Sequence, residues 1–290
     1  MKFKPLIVGV ILISGILLAA FAPQPTGDYL GEEPPGTTPK IFSPNFISNR
    51  NVVGGTFSPS KKEFYFCRFT ANSLRIYFTR STKSGWTEPE EAEFNKGYFG
   101  GPPFFSPDGS QLIWRAARPF PDDWPGIKPK PGSLEEVAYW SMIRTESGWN
   151  APRPMELPVP KDMRQHGVSV TREGTVFISY GNIIARIPLK NNSYADPETI
   201  LTGYSGAYPV VAPDESFLIL TKQGLRRRLL VSFKKEDNTW TMPKDLGGQV
   251  NYPAMNGYAY ISPDGKYLFY TADHRIYWVS TDVIHSLKKD

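Results

Sequence analysis

Ile261-Ser262-Pro263-Asp264-Gly265-Lys266-Tyr267-Leu268-Phe269-Tyr270 reads as the end of one strand, a tight turn and the start of the next. Proline presets the φ of the turn, aspartate bonds to turn amides, and glycine takes the left-handed position. The phrase recurs as Ser58-Pro59-Ser60, Ser106-Pro107-Asp108-Gly109, Thr171-Arg172-Glu173-Gly174 and Ala212-Pro213-Asp214-Glu215. An apolar pair follows at a fixed offset: Phe64/Phe66, Leu112/Trp114, Phe177 (with Ser179), Leu218/Leu220 and Leu268/Tyr270. Five copies of one supersecondary unit predict a repeat architecture.

A second mark, an aromatic followed three places later by proline, closes each unit. It stands at Trp86/Pro89, Trp149/Pro152, Tyr194/Pro197 and Trp240/Pro243. Runs suited to strands precede these marks, and a fifth, Arg275-Ile276-Tyr277-Trp278-Val279, ends the series. Each unit is therefore strand A, a turn, strand B, a variable loop, strand C, a second turn and strand D. The fold class this predicts is all-β: a β-propeller of four-stranded antiparallel blades. One such sheet cannot bury both faces, so blades must stack around an axis.

The last repeat ends too soon to hold its own strand D. Pro59 to Trp86 and Pro213 to Trp240 each span 27 residues, and 27 from Pro263 reaches Asp290, the final residue. Gly36-Thr37-Thr38-Pro39 with Lys40-Ile41-Phe42 supplies a replacement. Residues near 39–45 are thus expected to complete the last blade and close a five-bladed ring. The competing count is six, with 23–50 as a degenerate blade lacking the turn phrase.

Composition suits short strands joined by turns: 14% aromatics, 28 prolines and 25 glycines in 290 residues. Residues 1–22 read as a signal peptide or N-terminal membrane anchor. Lys2 and Lys4 precede an uncharged, mainly apolar run from Leu6 to Ala22. With no cysteine near this segment, lipid attachment there is excluded. Residues 23–38 read as an extended tether, and 39–290 as one propeller domain. The body is expected to be exported, to the periplasm or cell surface, touching membrane only through an uncleaved leader.

Removing Lys2 and Lys4 from 33 basic residues leaves 31 against 28 acidic ones, a net +3. That is too little, without a clustered basic face, for nucleic-acid binding. Three histidines and one cysteine, scattered along the chain, do not suit a zinc site, and no cofactor motif is present. Cys67 reads as a small buried residue.

The phrase around Pro263, the run Arg275–Val279, the Gly-Trp-x-x-Pro elements and Asp245-Leu246-Gly247-Gly248-Gln249-Val250-Asn251 together resemble the TolB-like, WD40-like propeller repeats of exported bacterial proteins. The resemblance covers roughly residues 36–290. It implies a binding or scaffolding module without catalytic residues, and a family that is often six-bladed. Arg172 in place of proline and Glu215 in place of glycine depart from the pattern.

Strand order puts the two kinds of turn on one face and the B–C loops with the blade crossovers on the other. The second face carries the variation, and binding concentrates on such loops. Its candidate ligand-binding residues are Arg68, Arg115, Arg118, Trp124, His166, Tyr180, Lys222, Asp273 and His274. Arg118 and Trp124 belong to a 22-residue insertion, Ala116–Val137, read as either a lid or a packing loop. Glycine-bearing crossovers at Gly54-Gly55, Gly100-Gly101-Pro102, Gly206-Ala207-Tyr208 and Asn256-Gly257-Tyr258 let backbone approach the axis. The turn aspartates and Trp86, Trp149 and Trp240 read as structural.

A cationic, aromatic mouth suits a carboxylate-bearing peptide or a sugar. The leading expectation is a non-catalytic propeller binding a protein segment or glycan there. A glycoside hydrolase is the first alternative. Its paired carboxyls would come from Asp122, Asp123, Glu135 or Asp273, none in a recognisable motif. The second alternative is a structural scaffold of an envelope complex.

Overall fold

Five antiparallel sheets surround a common axis, each built from the four strands the repeats predict. The structure is a computed structural model that describes residues 24–289, except positions 50, 72, 124–136, 161–162, 164, 192 and 253–256. The targeting segment read at 1–22 lies outside the described residues. In blade 1, strands A to C are Val52–Phe57, Glu63–Phe69 and Leu74–Thr82, and Glu90–Glu91 adds strand D. Blade 2 splits strand A into Phe99–Gly100 and Phe104–Phe105, then runs through Gln111–Ala117, Val137–Thr145 and Arg153–Pro154. Blade 3 is Gln165–Val170, Val176–Tyr180, Ile183–Ile187 and Glu198–Thr202. Blade 4 is Val210–Val211, Phe217–Lys222, Arg228–Phe233 and Lys244–Asp245.

Blade 5 takes Gly257–Ile261, Tyr267–Ala272 and Arg275–Ser280 from the end of the chain and Lys40–Ile41 from its beginning. Lys40 pairs with Trp278 and Ile41 with Tyr277. The ring therefore has five blades and closes as the spacing predicts. Phe42 follows into a buried aromatic cluster, with its ring centroid 5.1 Å from Phe269, 5.3 Å from Trp278 and 5.5 Å from Phe64. Each such pair adds about 0.5–1.5 kcal/mol beyond the area it buries. The closing seam is thus held by packing as well as by the ladder.

Residues 24–31 are not the extended tether expected of them. Pro25 O accepts from the Trp86 amide at 2.8 Å, and Gly27 O accepts from the Trp86 indole at 2.9 Å. Tyr29 and Leu30 are buried in the same cluster as Phe42, Phe57 and Trp278. Two large apolar side chains within a polar stretch cover the seam between blades 5 and 1, which turns the segment into a strap.

The turns behave as their residues require. Asp108 Oδ1 accepts from the Ser110 amide and the Ser106 hydroxyl, Asp214 from Ser216, and Asp264 from Lys266 N and Ser262 Oγ. The left-handed position is filled by Lys61, Gly109, Gly174, Glu215 and Gly265.

One turn differs in length. The amides of Ser58, Ser106, Ala212 and Ser262 bond to carbonyls five residues on, whereas Thr171 N bonds to Thr175 O, four on. A one-residue change reverses which side chains face which sheet. In blade 3 Val176 and Ile178, rather than Phe177 and Ser179, therefore turn toward blade 2.

Candidate functional site

Among the described residues, two cavities lie along the axis. The one under the variable loops measures about 100 Å³; the one under the Pro-Asp-Gly turns measures about 50 Å³ and is rimmed by Pro59, Pro107, Arg172, Pro213 and Pro263. Phe104, Val210 and Tyr260 line both, and so form the partition between them. Tyr260 is pinned there by its hydroxyl, which donates to Phe57 O at 3.0 Å.

The wall of the larger cavity is set by bulges in strand A. The register slips between Val53 and Gly55, between His166 and Val168, and between Gly257 and Tyr260. Gly54, Gly167, Tyr208 and Tyr258 all have positive φ there (59°, 60°, 44° and 49°). Gly54 and Gly167 are required sterically: a Cβ would stand 2.4 Å from Pro102 Cβ or from Tyr208 Cα. Tyr208 and Tyr258 occupy the same backbone region despite bulky side chains. Such strain costs about 1–3 kcal/mol per residue and clusters at functional sites. Their rings meet edge to face at 5.0 Å over the cavity. Burial, then the adjacent Tyr208, holds the Tyr258 phenol well above its ordinary pKa.

Among the described residues, Arg115 is the one candidate from the sequence that lines this cavity. It stands opposite Tyr139 in the ladder, which puts both side chains on one face of blade 2. Tyr139 is 4% exposed, and its hydroxyl, like Arg115 Nε, is buried without a hydrogen-bond partner among the described residues. Burial raises the Tyr139 pKa strongly while the Arg115 charge opposes that rise, so the phenol keeps its proton.

The other candidates lie elsewhere. His166 is half-buried on the rim, its ring 5.5 Å from that of Tyr208. Arg68 faces blade 5 instead of the axis, stacked over Tyr77 at 4.7 Å, in a separate surface pocket with Gln24, Phe46 and Glu88. Tyr180 is a core residue of the blade 2–3 interface, put there by the short Thr171–Thr175 turn. Lys222 is exposed, paired in the ladder with Arg228.

Asp273 and His274 form the B–C turn of blade 5, both left-handed as tight hairpins demand. His274 O accepts from Val52 N at 3.1 Å, and its ring meets Phe69, which ties them to the seam rather than to the cavity. Trp124 lies outside the described residues. The described arm of its insertion packs outward: Arg118 stacks on Trp140 at 4.8 Å and donates to Phe94 O, while both Nη atoms of Arg153 donate to Asp123.

Tyr139, Tyr258 and the Phe99 side chain were not singled out in the sequence as binding groups. Strand-C tyrosines look like any other core residue until the register shows which face they share.

Of the four carboxylates weighed for glycoside cleavage, Glu135 lies outside the described residues. Asp122, Asp123 and Asp273 are not among the residues lining the cavity. Among the described residues the cavity therefore shows no carboxylate pair of the kind such chemistry needs. Among the described residues no group of three or more His, Cys, Asp or Glu could hold a metal ion, and no helix is long and apolar enough to cross a membrane.

No protein-family model matches the chain, and no curated protein is similar to it in sequence. Solved structures are similar in fold. TolB from Acinetobacter baumannii aligns at a TM-score of 0.48 and 14% identity, covering 79% of this chain and 54% of that one. A putative TolB from Agrobacterium tumefaciens aligns at 0.46 and 12%, covering 76% and 69%. A gluconolactonase from Xanthomonas campestris aligns at 0.48 and 12%, covering 78% and 71%. The TolB-like resemblance in the repeat phrase and the five-bladed ring agree as to fold.

Proposed function

We propose that this chain is an exported, non-catalytic β-propeller that binds a protein segment or glycan in the axial mouth under the variable loops. The observation that carries this reading is the pair Tyr208 and Tyr258. Both accept a strained backbone conformation, and their rings stand over the mouth of a concave, mainly apolar cavity. Nothing in the ladder requires tyrosine at these positions, because glycine serves the same bulge at Gly54 and Gly167. Aromatic walls with few polar groups favour an extended peptide or a sugar ring.

Export rests on the positive start and apolar run of residues 1–22. An alkaline-phosphatase fusion to residues 1–30 tests it, since the reporter is active only outside the cytoplasm. For binding, the protein is screened on peptide and glycan arrays, and each hit is titrated against the double variant Tyr208→Ala, Tyr258→Ala. The expected result is at least a tenfold loss of affinity in a variant that still folds. Unchanged affinity for every hit would place binding elsewhere.

A further inference from the structure

The five blades repeat one ladder position at the cavity end of strand B. It lies four residues past each turn-closing carbonyl and faces the next blade: Cys67, Arg115, Ser179, Thr221 and Thr271. Four are small, and three of those bond to backbone beside a strand A. Cys67 Sγ donates to Gly100 O, Ser179 Oγ donates to His166 O, and Thr271 Oγ1 accepts from Gly54 N. Their partners across the B–C ladder are Ile76, Ile184, Leu229 and Ile276. Only blade 2 departs, and it departs at both positions together, with Arg115 opposite Tyr139.

We propose that Arg115 and Tyr139 form a carboxylate-binding site in the wall of the axial cavity. This deepens the reading of that mouth as a binding site, and rests on it. A guanidinium offers a planar fork of donors that matches a carboxylate. The Tyr139 O–H adds a further donor from the same face. Among the described residues both groups carry a buried polar atom without a partner, and none of those lining the cavity is a carboxylate that would neutralise the cation.

Leaving such groups unpaired is costly, and a bound anion removes that cost. The Tyr139 phenol stays protonated, so it donates rather than repels. A cavity of about 100 Å³ admits the carboxylate and a few carbons. The rest of the ligand then passes alongside the Tyr208–Tyr258 pair toward solvent.

The test uses two acid–neutral pairs: N-acetyl-L-alanine with its carboxamide, and D-glucuronate with D-glucose, titrated by NMR against the purified propeller. The acid of at least one pair is expected to bind about tenfold more tightly than its neutral partner. In Arg115→Gln that preference disappears, and in Tyr139→Phe it shrinks several-fold. A preference in the first pair alone identifies a peptide carboxylate, and in the second alone a sugar acid; either supports the site.

A measurement on the unaltered protein guards against misfolded variants, because the Arg115 Nε–H resonance should shift with the acid and not with its partner. Equal binding of acid and neutral members, or a preference that survives Arg115→Gln, overturns the carboxylate site but leaves the mouth a binding site. Binding by none of the four overturns both.

Discussion

The Phe42 amide donates to Ile276 O at 2.8 Å, so the first strand of the propeller is hydrogen-bonded into its last blade. The same residue is fully buried at the seam between blades 5 and 1. Phe42 therefore contributes to closure of the ring both through the backbone ladder and through a side chain packed against two blades.

Phe42→Ala is expected to destabilise the protein by about 3–5 kcal/mol, through lost burial and the cavity left behind. Urea unfolding followed by tryptophan fluorescence measures this as a lower midpoint. A loss below about 1 kcal/mol would mean that the seam holds without Phe42.

The strap over that seam depends on Gly85, whose φ is 116° and whose added Cβ would stand 2.9 Å from Pro25 O. Gly85→Val should lift residues 24–31 and expose them to protease while the remaining blades stay folded. Hydrogen exchange at the Trp86 amide, now bonded to Pro25 O, is expected to accelerate. Unaltered protection would show that the strap is held elsewhere.

Glu215 sits at φ 60° where three other repeats use glycine, and its carboxylate lies 3.2 Å from both Arg186 Nε and Lys234 Nζ. Glu215→Gly and Glu215→Ala both lose these ion pairs, but only alanine keeps the left-handed strain, worth about 1–2 kcal/mol. The alanine variant should be less stable than the glycine variant by about that amount. Equal thermal midpoints would argue against strain at this turn.

Asp245 is held at about 2 by the Arg228 guanidinium, with burial opposing and Gly247 N and Asn251 Nδ2 also donating. A carboxyl depressed in the folded state contributes stability above its unfolded value of about 3.9. That contribution is lost as pH falls through the folded value. Asp245→Asn should therefore flatten the stability profile between about pH 4 and pH 2. Parallel acid limbs for the two proteins would exclude the Arg228 pairing as its source.

The repeat phrase exposed the blades because turn chemistry is local: Pro263, Asp264 and Gly265 act through bonds within a few residues. The missing strand D was legible from counting alone. Tyr180 was misplaced because a single residue absent between Thr171 and Thr175 reverses the faces of blade 3, and no local preference records that reversal. The strap was missed because Tyr29 and Leu30 gain their burial only against Phe57 and Trp278, far along the chain. Arg68, Asp273 and His274 stand at the correct end of their strands but outside the axis, since strand position sets height and not distance from the centre.

By itself the sequence determined a ring of four-stranded blades and the borrowed strand that closes it, because these follow from periodicity and turn-forming residues, while it left six blades as the competing count to five. Only the tertiary structure decided that Arg115 and Tyr139 share a wall with Tyr208 and Tyr258. That grouping depends on the register between strands and on the stacking of neighbouring blades, which bring together residues that no spacing along the chain connects.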